Sequence, residues 1–157
     1  MGLVASIYHL PPRVLPSIQA VEGGSPGLVH RNSNDTQDLG VMQVNTLWLW
    51  PLARYTHAPV ETVYSRLRDE PCYNVAAAGA IMRTYLDETH GDIMQAVGNY
   101  HSHTFALNAA YQVLVMQTAA RLFVPGAVVA RSASGRSVAE RLALQRRLAR
   151  AERHARG

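Results

Sequence analysis

A single glutamate closes the first strongly apolar helical segment of this chain. The run Val14-Leu15-Pro16-Ser17-Ile18-Gln19-Ala20-Val21-Glu22 is followed at once by Gly23-Gly24. By residue type alone, Glu22 reads as a solvated charge at a helix end. Its neighbours argue otherwise. The helix dipole disfavours negative charge at a C-terminus, and apolar surroundings disfavour ionisation. Both raise a carboxyl pKa, and a carboxylic acid kept protonated near neutral pH can serve as a general acid. Two polar clusters accompany it. Gly40-Val41-Met42-Gln43-Val44-Asn45 begins eighteen residues on, and Asn99-Tyr100-His101-Ser102 closes an alanine-rich stretch far downstream. Gly40 reads as a position of close backbone approach. Met42 reads equally well as cleft lining or core. Gln43 and Asn45 are amides in an apolar run and need partners if buried. The Tyr100 hydroxyl is expected to bond the Glu22 carboxyl and hold its rotamer, the alternative being a core Tyr with its hydroxyl at the rim; Tyr111 reads equally well as backing the same site or as core.

The elements that must position these groups are mostly helical. Leu15, Ile18 and Val21 share one helix face, and Gly23-Gly24 ends that helix. Pro11-Pro12 opens it, and Pro16 is expected to cost a backbone bond and bend its start. Residues 25–38 are rich in Ser, Asn, Asp and Thr and read as turns, with at most a short irregular hairpin. Asn45 is placed to cap a helix running through Leu52. Further helices are expected from Pro59 to about Asp69, Asn74 to Glu88, Asp92 to near Asn99, and Phe105 to Phe123. Ser132-Ala133-Ser134-Gly135 reads as a linker, and Ser137-x-x-Glu140 as the capping box of a last helix.

A chain of 157 residues is one domain by the usual expectation. Its positive charge is concentrated at one end. Residues 131–157 hold eight Arg and two Glu, a net +6, while the whole chain carries +4. Residues 1–126 are therefore read as the working domain and residues 127–157 as an Arg-rich linker and helical tail. The tail lacks interleaved aromatics, so nucleic acid is not an expected partner. No run approaches the ~20 apolar residues of a membrane span. Residues 1–12 do not resemble a secretory signal. The lone Cys72 cannot form an intrachain disulfide and is expected to be a half-buried structural thiol. There is no HExxH, CxxC pair, P-loop or GxSxG, and His101-x-His103 does not share a helix face. No metal or cofactor is expected.

Taken together, Glu22-Gly23-Gly24, Gly40-Val41-Met42-Gln43-Val44-Asn45 and Asn99-Tyr100-His101 resemble the lytic transglycosylases of the lysozyme-like superfamily. The branch most similar accompanies secretion and conjugation machines. The resemblance covers roughly residues 8–125. Two positions depart from the family pattern: Gly23 stands where Ser often follows the Glu, and Asn-Tyr-His replaces the frequent Ala-Tyr-Asn. Relatives often pair the Cys of a Pro-Cys-x-Asn segment with one near the N-terminus, and Cys72 has no such partner. The resemblance implies a mostly α, lysozyme-like single domain that cleaves peptidoglycan glycan strands in the periplasm or cell envelope. Glu22 would act as general acid and then as base, and Gly40, Met42, Gln43, Tyr100 and Tyr111 would serve substrate or site. Gln43 is assigned to the acetamido sugars and Asn45 to structure. Asp35 and Asp38 are the nearest second carboxylates. Asp38 is expected in a turn, but a position facing the cleft would make hydrolysis by water possible. Two rivals stay open: a true muramidase, and a non-catalytic envelope adaptor binding acidic partners through the Arg-rich tail.

Overall fold

The computed structural model describes residues 1–124; the expected linker and tail helix lie outside them. Among the described residues are seven α-helices, one 3₁₀ turn and a small three-stranded sheet. The helices are α1 (Gly2–Ile7), α2 (Val14–Glu22), α3 (Leu49–Thr56), α4 (Val60–Asp69), α5 (Pro71–Glu88), α6 (Ile93–His101) and α7 (Phe105–Phe123). The strands are β1 (Val29–Arg31), β2 (Gln37–Leu39) and β3 (Val44–Asn45), paired antiparallel in chain order. No described helix is long and apolar enough to cross a membrane.

Helix α2 buries Leu15, Ile18 and Val21, each at most 1% exposed. Such side chains contribute about 1.5–3 kcal/mol each relative to exposure. The expected cost of Pro16 is corrected. It occupies the third helical position, where a backbone N–H has no intrahelical acceptor in any helix. Gly23 takes the left-handed conformation at φ 63° and donates its N–H to the Gln19 carbonyl at 2.8 Å. That closure stops the helix directly after Glu22. Helix α7 packs along α2 and α6, and α5 packs against α6, α4 and α1. Helix α1 is absent from the sequence reading, because six residues show too little periodicity. Its Val4 side chain seats over Gly79 of α5, where a Cβ would overlap it.

The sheet is more regular than the turns expected for residues 25–38. Its register pairs Val29 with Leu39 and Asp38 with Asn45. The β1–β2 turn closes through Asn32 N–H to the Thr36 carbonyl at 2.8 Å, with Asp35 at φ 61°. Asn45 caps a 3₁₀ turn, Thr46–Trp48, by accepting from the Leu47 N–H at 3.0 Å. Helix α3 then continues past Leu52 to Thr56. Helix α5 starts at Pro71, not at Asn74, so Asn74 lies inside its first turn. Asp92 caps α6 by accepting from the N–H groups of Met94 and Gln95, both at 3.0 Å. Cys72 is exposed, which corrects the half-buried thiol.

Candidate active site

Glu22 opens into a cleft of about 910 Å³. Residues of the β1–β2 turn, Gln43 to Asn45, Trp48, Tyr85 of α5 and the end of α6 line it. The side chain of Glu22 is half-buried. The Tyr111 hydroxyl donates to its Oε1 at 2.6 Å. Tyr111 is 0% exposed, so its ring is held by packing on all sides. A buried phenol that donates a short hydrogen bond fixes both the rotamer and the position of a carboxyl.

The expected partner of Glu22 is thus corrected. Tyr100 donates to the Met42 carbonyl at 2.9 Å instead. The half-buried Tyr100 has its hydroxyl end desolvated, and that burial drives its pKa well above the ordinary tyrosine value. The negative charges of Glu22 and Asp38 push in the same direction. Tyr100 therefore stays neutral and ties α6 to the segment before β3. It lines the cleft beside Glu22.

Gly40 and Met42 do not line the cleft. Met42 is 0% exposed and belongs to the hydrophobic core. Its backbone does the positioning: its N–H donates to Asn74 Oδ1 at 2.8 Å and its carbonyl holds Tyr100. Gly40 sits at φ 67°, and a Cβ there would overlap the Leu67 carbonyl and the Asn74 amide. The glycine that lets the Glu22 turn approach this segment is Gly24, where a Cβ would overlap the Gly40 carbonyl. Gln43 lines the cleft at φ 49°, its Nε2 donating to the Gly40 carbonyl at 2.8 Å. Asn45 donates to Asp38 Oδ1 at 2.7 Å and to Thr36 at 3.1 Å, in keeping with a structural part.

Asp38 is paired in β2, not in a turn, and it lines the same cleft as Glu22 while only 6% exposed. Several contacts do not follow from the sequence. Asn74, 1% exposed, donates to the carbonyls of Leu39 and Leu67 at 2.8 and 2.7 Å. It thus joins α4, α5 and the Gly40 segment. The signal was an amide among alanines in a helix that has no polar face at that point. Asn99 and Asn108, 4% and 3% exposed, are bonded to each other at 2.8 Å, and Asn99 reaches Glu88 at 3.1 Å. Among the lining residues, Trp48 meets Tyr85 edge to face with centroids 5.6 Å apart, and Tyr85 meets His103 at 5.4 Å. His103 lies 2.9 Å from Glu88. His101 lines the cleft and stacks on Tyr111 at 4.8 Å, with the rings 5° from parallel. The two histidines thus have different partners.

Chemically, the arrangement offers one oriented carboxyl, a second buried carboxylate, amides and an aromatic wall around an open cleft. Amides offer both donors and acceptors, and aromatic faces offer a stacking surface. No protein-family model matches the chain, and no curated protein matches it in sequence.

Proposed function

We propose that this protein is a peptidoglycan lytic transglycosylase that cuts the β-1,4 bond between N-acetylmuramic acid and N-acetylglucosamine. The observation that carries this reading is the Glu22 carboxyl, held by buried Tyr111 at 2.6 Å and opening into a 910 Å³ cleft with amide and aromatic walls. In this mechanism, protonated Glu22 gives its proton to the glycosidic oxygen as the C1–O bond breaks. The substrate's N-acetyl carbonyl supports the positive charge at C1. Glu22, now a carboxylate, takes the proton of the sugar's 6-hydroxyl, and that oxygen bonds to C1 to close a 1,6-anhydro ring. One carboxyl serves as acid and then base, and no cofactor is needed. Gln43, which lines the cleft, is assigned to an acetamido group of the substrate. A lysozyme-like fold, a place in the periplasm or cell envelope, and work beside a secretion or conjugation apparatus extend from the sequence resemblance.

Asp38 favours a second reading. It is a buried carboxylate lining the same cleft, and a second carboxylate can activate water in a hydrolytic muramidase. The products separate these readings. Mass spectrometry of digested cell walls is expected to show anhydromuramoyl ends. Reducing ends that vanish in Asp38→Asn would establish the muramidase, and absence of cleavage would leave the envelope adaptor. Glu22→Gln is expected to stay folded and lose about 10²–10⁴ in rate. Turnover within about tenfold of the parent would remove Glu22 from the mechanism.

A further inference from the structure

The same site carries a second titratable ring directly behind its acid. Glu22 is bonded by Tyr111, and Tyr111 is covered on one face by the His101 imidazole, nearly parallel at 4.8 Å. His101 is half-buried at the end of α6 and also borders the cleft. We propose that His101 is a positioning residue that couples its own charge to the Glu22 carboxyl through Tyr111. The proposal deepens the transglycosylase reading and rests on it for the catalytic meaning of Glu22.

The physical route is short. An imidazolium against the phenol face is attracted to the ring's negative quadrupole. A phenol polarised in this way is a stronger hydrogen-bond donor to the carboxylate. The positive charge itself also favours ionised Glu22. Protonated His101 therefore stabilises the base form of Glu22, and neutral His101 stabilises the acid form. Imidazole is the side chain whose ordinary titration lies in the range where this choice matters, near pH 6.5. By linkage, ionised Glu22 raises the His101 midpoint by the same free energy.

Other groups facing the cleft are His30 and Arg31 on β1, Asp38 on β2, Tyr85 on α5, Tyr100 on α6, and His103 beyond it. Asp38 accepts from Asn45, and His103 lies against Glu88. Tyr100 stays neutral through the range in which imidazole titrates. None of these has a ring stacked on the residue that holds Glu22.

The test is an NMR titration of the full chain, with the His101 imidazole assigned by its loss in His101→Phe. In Glu22→Gln the His101 midpoint is expected to fall by about half a unit or more. Reciprocally, His101→Phe keeps a stacked ring without a charge, and the Glu22 carboxyl midpoint is expected to rise by a similar amount. A ring with a purely structural role would move neither. The second arm does not depend on Glu22→Gln folding correctly. Midpoints that stay within about 0.2 unit in the folded variants would overturn the proposal. Cleavage of cell walls is read separately on the parent. Coupling without cleavage sustains the His101–Glu22 link and removes the transglycosylase reading. Cleavage without coupling does the reverse.

Discussion

Tyr111 and Tyr100 divide between them what the sequence assigned to one residue. Tyr111 touches the carboxyl, and Tyr100 touches a backbone carbonyl. Their substitutions should therefore separate. Tyr111→Phe removes one hydrogen bond to Glu22 from a ring that otherwise still fits. A net loss of about 0.5–1.5 kcal/mol in orienting the acid corresponds to a rate reduced by up to roughly tenfold. The check is turnover on purified peptidoglycan beside the melting temperature. Tyr100→Phe leaves the Met42 carbonyl without its partner, at a cost of about 1–3 kcal/mol. It should lower the melting temperature by several degrees. The pH dependence follows from the sign of the Tyr100 shift. Its pKa is raised in the folded state, so its contribution is fully present below the unfolded tyrosine value near 10. Above that pH the unfolded chain has released the proton and the folded chain has not. Stability then falls with a slope approaching about 1.4 kcal/mol per pH unit until the folded group also ionises. Tyr100→Phe should show a shallower alkaline loss than the parent in urea unfolding between pH 9 and about 11. Equal slopes would place the shift elsewhere.

The elements meet at Asn74, where one amide makes three bonds, two to a segment more than thirty positions away and one to the end of α4. It serves the Met42 N–H and the Leu39 carbonyl on one side and the Leu67 carbonyl on the other. This contact fixes the Gly40–Met42 segment against α5 and the end of α4, and thereby sets where Tyr100 and Gln43 stand. Asn74→Ala removes three hydrogen bonds from buried backbone groups, those of Met42 N–H and of the Leu39 and Leu67 carbonyls. It should destabilise the fold by about 3 kcal/mol or more, measured by urea unfolding. A loss below about 1 kcal/mol would mean that the segment finds other partners. Glycines at this junction are required by contact as much as by conformation. Gly24 has no space for a Cβ because the Gly40 carbonyl occupies it, and Gly40 has none because of Leu67 and Asn74.

For the molecule as a whole, residues 1–124 already enclose a continuous apolar core that includes Leu15, Ile18, Met82 and Tyr111. The cleft is lined from the same residues. A chain ending at Gly126 is therefore expected to fold with a melting temperature close to that of the parent and to cleave soluble glycan fragments. The Arg-rich residues 131–157 carry net +6, so their removal should weaken retention on anionic cell walls. The difference should shrink with salt, because such attraction is screened beyond ~10 Å at 0.1 M. Unfolding of the shortened chain, or loss of cleavage of soluble fragments, would show that the core extends past Gly126.

Some of this was legible from residues alone. The stop of α2 directly after Glu22 follows from Gly23, because a left-handed closure needs no information from elsewhere in the chain. The caps at Asn45 and Asp92 and the span of α7 are local in the same sense. A buried Leu15–Ile18–Val21 face follows from its period. Which tyrosine meets Glu22 does not follow from any local rule. Tyr111 lies 89 positions away and Tyr100 lies 78 away, and helix packing alone decided between them. The same holds for Asp38, whose strand pairing turned it into the cleft. It holds for Met42, whose neighbours made it core, and for His101, whose ring found Tyr111 across the α6–α7 contact. Sequence determined the types of groups available and the ends of the helices that carry them. Tertiary structure decided who touches whom, because contacts between distant segments depend on how whole helix faces fill a common core.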